Sequence, residues 1–233
     1  MKKLILAAAL AFCGTATAQD AETSGAVGLI NLQLSDPAGY MARLAGDAET
    51  FDASGAAFRG VCLNGTGATP GTGYMYAFSA SMAAAMAASD VLVDPQYAEI
   101  IAGYRSMSNV TGAEFSQVVY PHERLLMQST ARRLFVNVAN PQAYVAALAD
   151  YVSALRADGM DVAMSAYAPV GAGAAQGDII IFMDAPSSGE LGAAFDALGG
   201  TEAGQALLSK LSMLDREIVR DEILRCGITN VAG

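Results

Sequence analysis

Two peptides recur along this chain at one interval, and a chain written twice folds most simply as two like units. Asp36-Pro37-Ala38-Gly39-Tyr40 is echoed by Asn140-Pro141-Gln142-Ala143-Tyr144. Gly73-Tyr74-Met75-Tyr76-Ala77-Phe78 is echoed by Gly177-Asp178-Ile179-Ile180-Ile181-Phe182, and both echoes lie 104 residues on. One similar peptide arises easily by chance; two at a shared offset do not.

Each copy reads as the same order of elements. In the first, alternation over 28–34 predicts a strand, and Asp36 followed by Pro37 predicts a capped helix. Strands follow at 57–63 and 74–78, then helical sequence over 80–104 broken at Asp94-Pro95, then a strand at 114–120. In the second, strands at 134–138, 161–167 and 178–182 alternate with a helix from Asn140-Pro141 and helices over 188–198 and 201–214. The segment 217–225 has no clear period, and its counterpart in the first copy tips it toward strand.

Lys2-Lys3, the apolar run from Leu4 to Cys13 and Ala16-Thr17-Ala18 form a secretory signal peptide over 1–18. The short apolar core and lysine-rich start point to a bacterial periplasmic or secreted protein, with no transmembrane segment. Removing Lys2 and Lys3 from 13 Lys plus Arg leaves 11 against 23 Asp plus Glu, a charge of −12. That field opposes binding to nucleic acid or an anionic membrane surface. Of three cysteines, Cys62 and Cys226 lie beyond the leader. Export permits their oxidation; an intramolecular bridge, an intermolecular one and two buried thiols all fit their number.

The pattern βαββαβ, twice, resembles the dimeric α/β-barrel superfamily over most of Val27 to Cys226, on element order and duplication. The resemblance implies an α+β fold: two fused ferredoxin-like units, 27–123 and 133–226, joined by a linker at 124–132 and packed sheet to sheet as a pseudo-dimeric barrel. It implies that the second strand of one unit lies beside the last strand of the other, which would bring Cys62 to Cys226. An internal partner favours a monomer. Some families with this barrel bind haem, and others are cofactor-independent oxygenases or isomerases.

Chemistry is thinly written. The glycine-rich stretches 64–73 and 171–177 lack the Gly-Lys-Ser/Thr of a phosphate loop and read as strand connections. His122 is the only histidine, so a zinc cluster is not expected, and its place near the linker favours a bystander. Asp215, Glu217, Asp221 and Glu222, interleaved with Arg216, Arg220 and Arg225, read as a solvated, ion-paired face. With no internal ionisable set in evidence, the reading leans away from catalysis. It favours an exported binding or accessory protein for a small apolar or amphipathic molecule, with an oxygenase, isomerase or haem-associated enzyme as the alternative. No cofactor is predicted, haem being the one the resemblance allows. Tyr74, Tyr76, His122 and Tyr167 are the candidate ligand contacts, at a cavity between the copies or on its rim.

Overall fold

The computed structural model describes residues 25–122, 124–171 and 177–232; the leader 1–18 and most of the second glycine-rich stretch lie outside them. The first unit runs β1 (Ala26–Leu34), α1 (Pro37–Gly46), α2 (Ala48–Ser54), β2 (Phe58–Thr66), β3 (Thr72–Ser79), α3 (Met82–Ala88), α4 (Ala98–Arg105) and β4 (Ser108–Tyr120). The second runs β5 (Gln128–Val138), α5 (Pro141–Ala157), β6 (Ala163–Val170), β7 (Ile179–Ala185), α6 (Ser188–Gly200), α7 (Glu202–Ser212) and β8 (Arg216–Val231). Asp36 and Asn140 cap α1 and α5, accepting from the amides of Gly39 and Ala143 at 2.9 and 3.0 Å. The segment of uncertain period is strand β8.

The eight strands close into one antiparallel barrel in the order β1-β3-β2-β8-β5-β7-β6-β4. The sequence-based fold therefore stands: two fused βαββαβ units, each four-stranded, joined along two seams. At one seam β2 pairs with β8, placing Cys62 opposite Cys226, and these two are disulfide-bonded. At the other, β4 pairs with β6 and Val118 faces Tyr167.

Strand register refines the repeat. A bulge falls between Asn31 and Leu32 of β1 and between Phe135 and Val136 of β5, at an offset of 104. Asn31 pairs with Tyr74, however, while Phe135 pairs with Ile180, so the third strands are related by 106 residues. The seam pairs Cys62–Cys226 and Tyr167–Val118 are equivalent at offsets of 105 and 108. The match of Tyr74 with Asp178 at 104 is thus two residues out of register. Connections in the second copy are slightly longer, and the excess accumulates along the chain.

Because successive strand residues point to opposite faces, each strand feeds two cores. The outer face of the first sheet packs Leu32, Leu34 and Val61 against Tyr40, Leu44 and Tyr104 of its helices. The outer face of the second packs Val136, Met164 and Ile181 against Tyr144, Leu148 and Leu191. Tyr40 and Tyr144 are core aromatics. Inside the barrel, Val27, Leu29, Cys62, Tyr74, Val118, Phe135, Tyr167, Ile180 and Leu224 meet from both copies.

The disulfide spans 164 residues, so it restricts most of the unfolded chain; loop-closure entropy of that span corresponds to roughly 5 kcal/mol. Reduction, or Cys62→Ser, should lower Tm by roughly 10–20 °C at about 2–4 °C per kcal/mol. Far-UV circular dichroism below the new Tm should stay unchanged, since the seam's backbone pairing does not need the bond.

Candidate functional site

The barrel interior collects the polar groups that the alternation of eight strands turns inward. From β7 come Ile180, Phe182 and Asp184; from β5, Ser129, Arg133 and Phe135; from β3, Tyr74, Tyr76 and Phe78; from β4, Ser116 and Val118. All of these except Phe135 and Val118 line a cavity of about 60 Å³ beside the Cys62–Cys226 bond. At roughly 10–15 Å³ per water-sized group, it has room for about four to six such groups. Its mouth is covered by the segment between the copies, through His122, Arg124, Leu125 and Leu126. Met127 O anchors that segment by accepting from the amide of Ile228 at 2.9 Å, and Arg124 pairs with Asp161 on the outside.

All four predicted contact residues, Tyr74, Tyr76, His122 and Tyr167, line this one cavity. Gly60 makes room for Tyr76: a Cβ there would fall 2.5 Å from the phenol oxygen. His122, which its sequence position put near the linker, lines the cavity. Its ring packs edge-on to Phe78 at 6.0 Å and near Tyr167 at 6.4 Å. Tyr167 donates to Ser165 Oγ at 2.9 Å, and Ser165 Oγ lies 3.0 Å from His122 Nε2. Ser165 Oγ thus joins the Tyr167 phenol to the His122 ring in one hydrogen-bonded chain. Burial lowers the His122 pKa, opposed by the nearby carboxylate of Asp184.

Asp184 is the group that sequence reading missed. It is 7% exposed; Ser129 Oγ donates to its Oδ1 at 3.0 Å, and its Oδ2 has no partner among the described residues. Burial raises its pKa, with His122 and Ser129 acting against the rise. The Tyr74 hydroxyl and Ser116 Oγ, both on cavity-lining residues, are likewise buried without a partner. Buried polar atoms are nearly always satisfied, so three orphans around one cavity mark a place shaped for something else.

The floor is ionic but closed. Arg133 donates to Glu222 Oε2 at 2.8 and 2.5 Å, its guanidinium 4.2 Å from the Tyr74 ring centroid, and Arg220 reaches Glu222 Oε1 at 3.2 Å. Deeper in, Asn31 donates to Glu114 at 2.5 Å. Glu222 therefore does not belong to a solvated face; Asp215, Glu217 and Asp221 do, Asp221 bonded by Arg132 on the outer side. The premise of an interior without ionisable groups fails with it. The missed residues carried a faint signal: period two continued two residues past Phe182 reaches Asp184, and a strand begun one residue before Leu134 includes Arg133.

No family model and no curated protein matches this chain. Solved structures do. A candidate monooxygenase from Lactobacillus acidophilus NCFM aligns at a TM-score of 0.61 and 10% identity, over 90% of this chain and 98% of that one. A candidate monooxygenase from Fusobacterium nucleatum gives 0.57 and 8%, over 91% and 96%. A chlorite dismutase variant from Candidatus Nitrospira defluvii gives 0.52 and 11%, over 88% and 91%. These similarities show the fold: a pseudo-dimeric ferredoxin-like barrel, shared with solved structures named as monooxygenases and a chlorite dismutase. They overturn the leaning away from catalysis, because the fold's neighbours are named for enzymes and the interior does hold ionisable groups.

Haem is consistent with the fold, but the residues around this cavity do not fit it. About 60 Å³ falls far short of the roughly 300–1,000 Å³ typical of cofactor-sized sites, and Nε2 of the only histidine faces Ser165. Among the described residues no cluster of three or more His, Cys, Asp or Glu could hold a metal, and no helix is long and apolar enough to cross a membrane.

The two titrating groups act on stability in opposite directions. His122, with a lowered folded pKa, binds its proton more readily when unfolded, so stability falls as pH drops below about 6.5 toward the folded value. Asp184, with a raised folded pKa, costs stability as pH rises above 3.8. Asp184→Asn should therefore raise Tm at pH 7, and the gain should vanish near pH 4; thermal unfolding at the two pH values measures it.

Proposed function

We propose that this chain is an exported, cofactor-independent enzyme of the oxygenase type, which deprotonates a small enolisable molecule inside the barrel and delivers the electrons to dioxygen. One observation carries the reading: a buried carboxylate with one free oxygen faces the same cavity as two free hydroxyls. Asp184 Oδ2 is a base whose raised pKa brings it nearer neutrality, where general bases work best. Tyr74 and Ser116 are donors with nothing to donate to until an oxyanion forms. Desolvation keeps the Tyr74 phenol protonated, so it serves as donor and not as base.

The step balances without a bound group. Asp184 takes a proton from a methylene flanked by a carbonyl or aromatic ring; the resulting enolate is held by Tyr74 and Ser116. Dioxygen accepts its electrons, a carbon–oxygen bond forms, the proton returns to the peroxide, and loss of water leaves a new carbonyl. An isomerase would share the first half. The neighbours named as monooxygenases favour the oxygen-dependent course, and the small cavity favours substrates of few heavy atoms.

2-Butanone, small enough for this cavity, serves as probe and gives two readouts: exchange of its methylene protons into D2O by NMR, and oxygen uptake at an electrode. Wild type should accelerate both. Asp184→Asn should reduce them by roughly 10²–10⁴-fold, the usual contribution of a positioned general base. Full exchange and uptake in a folded Asp184→Asn protein would sink the assignment.

A further inference from the structure

On the far side of the first sheet lies a second cavity, of about 190 Å³, between the helices and the outer face of β1, β3 and β4. At roughly 10–15 Å³ per water-sized group it admits a dozen or more heavy atoms. Its origin is visible in the repeat. Gly28, Ala77 and Ala113 form part of its floor. By strand register their counterparts in the second copy are Arg132, Met183 and Asp221. There Arg132 bonds Asp221 and covers the Phe195 ring at 5.1 Å, and the matching space, which Arg132 and Met183 line, is smaller, about 140 Å³. Above the first copy's floor, α3 turns Ala85 and Ala88 toward the space, spaced to share one helix face, and leaves Met86 53% exposed.

We propose that this space is a binding site for a slender, uncharged apolar molecule carrying one carbonyl or hydroxyl oxygen. The polar contact is Ser79. It is 5% exposed, its Oγ has no partner among the described residues, and it lines the cavity at the end of β3 that pairs with Ala26. Charge is not offered inside. Arg59, on the wall, bonds Asn230, Thr50 and the Leu44 carbonyl at 2.9–3.0 Å, and its ion pair with Asp47 is completed by Tyr104 donating to Asp47 at 2.7 Å. Arg105 lies at the rim, exposed to solvent. Val110, 61% exposed, gives the mouth an apolar lip. The site is separate from the barrel interior and does not depend on the chemistry proposed there.

Calorimetric titration with 2-decanone tests it, with decanoate as the charged analogue. Wild type should bind the ketone and prefer it to decanoate. Ala77→Met, which installs the residue of the second copy, should weaken ketone binding at least tenfold; if that protein does not fold, Ala88→Leu fills the space from the helix side. Ser79→Ala should weaken it by about 2–10-fold, the loss of one hydrogen bond. Asp184→Asn, in the barrel interior, should leave it unchanged. No binding by wild type, tighter binding of decanoate, full affinity in a folded cavity-filled variant, or an effect of Asp184→Asn would each overturn the proposal.

Discussion

Each four-stranded sheet of this protein has helices on one face only, and the other face cannot be left to water. Everything else follows from that. The two bare faces cover one another, and because β2 meets β8 and β4 meets β6, they do so as a closed barrel with no free edge. Eight strands enclose an interior just wide enough for side chains to fill. Filling it with aliphatic groups alone would have sufficed for stability. Instead it carries Arg133, Arg220 and Glu222 in mutual contact, and further along a carboxylate, an imidazole and several hydroxyls around residual space.

The repeat gives this interior two unlike halves. Equivalent places hold Tyr74 and Ile180, Cys62 and Tyr167, and, two residues beyond Tyr76 and Phe182, Phe78 and Asp184. The pseudo-symmetric frame fixes where inward side chains stand, while the residue at each place is free to differ. A polar cluster can then form at one point of the barrel without a mirror image opposite. On the outer faces the same freedom covers the floor of the second copy with Arg132 and Met183 and leaves Gly28 and Ala77 bare in the first.

The order of elements was legible because helix and strand periods are local. Pro37 and Pro141 behind their caps, and the alternation of β1 and β3, need no tertiary information to be read. The two-residue slip at the third strand was not legible: Gly73 and Gly177 look equivalent, and only the pairing of Asn31 with Tyr74 and Phe135 with Ile180 shows otherwise. Strand ends failed for the same reason. Asp184 lies near the end of β7 and Arg133 in the middle of β5; local rules end a strand at such charges, but a closed barrel supplies partners on both sides and extends it. Glu222 was misread because a charge-rich stretch carries no mark of which alternate residues face inward; Asp221 and Glu222 are neighbours in sequence and lie on opposite sides of the wall.

Unsatisfied polar atoms in a barrel could reflect indifferent packing. A second buried network in the same molecule argues against that. Asp47, Thr50, Arg59 and Tyr104 in the first copy are as deeply buried, and there Arg59 and Tyr104 find partners, with Asp47 held to a lowered pKa by hydrogen bonds that outweigh its burial. A buried polar cluster in this chain can thus be paired within itself, as Asp47, Thr50, Arg59 and Tyr104 are. Asp184 differs in having one donor where Asp47 has several, and its pKa moves the opposite way. A carboxylate kept short of donors beside hydroxyls kept short of acceptors is costly to folding. The proposed reaction accounts for that cost by making a reacting molecule the missing partner.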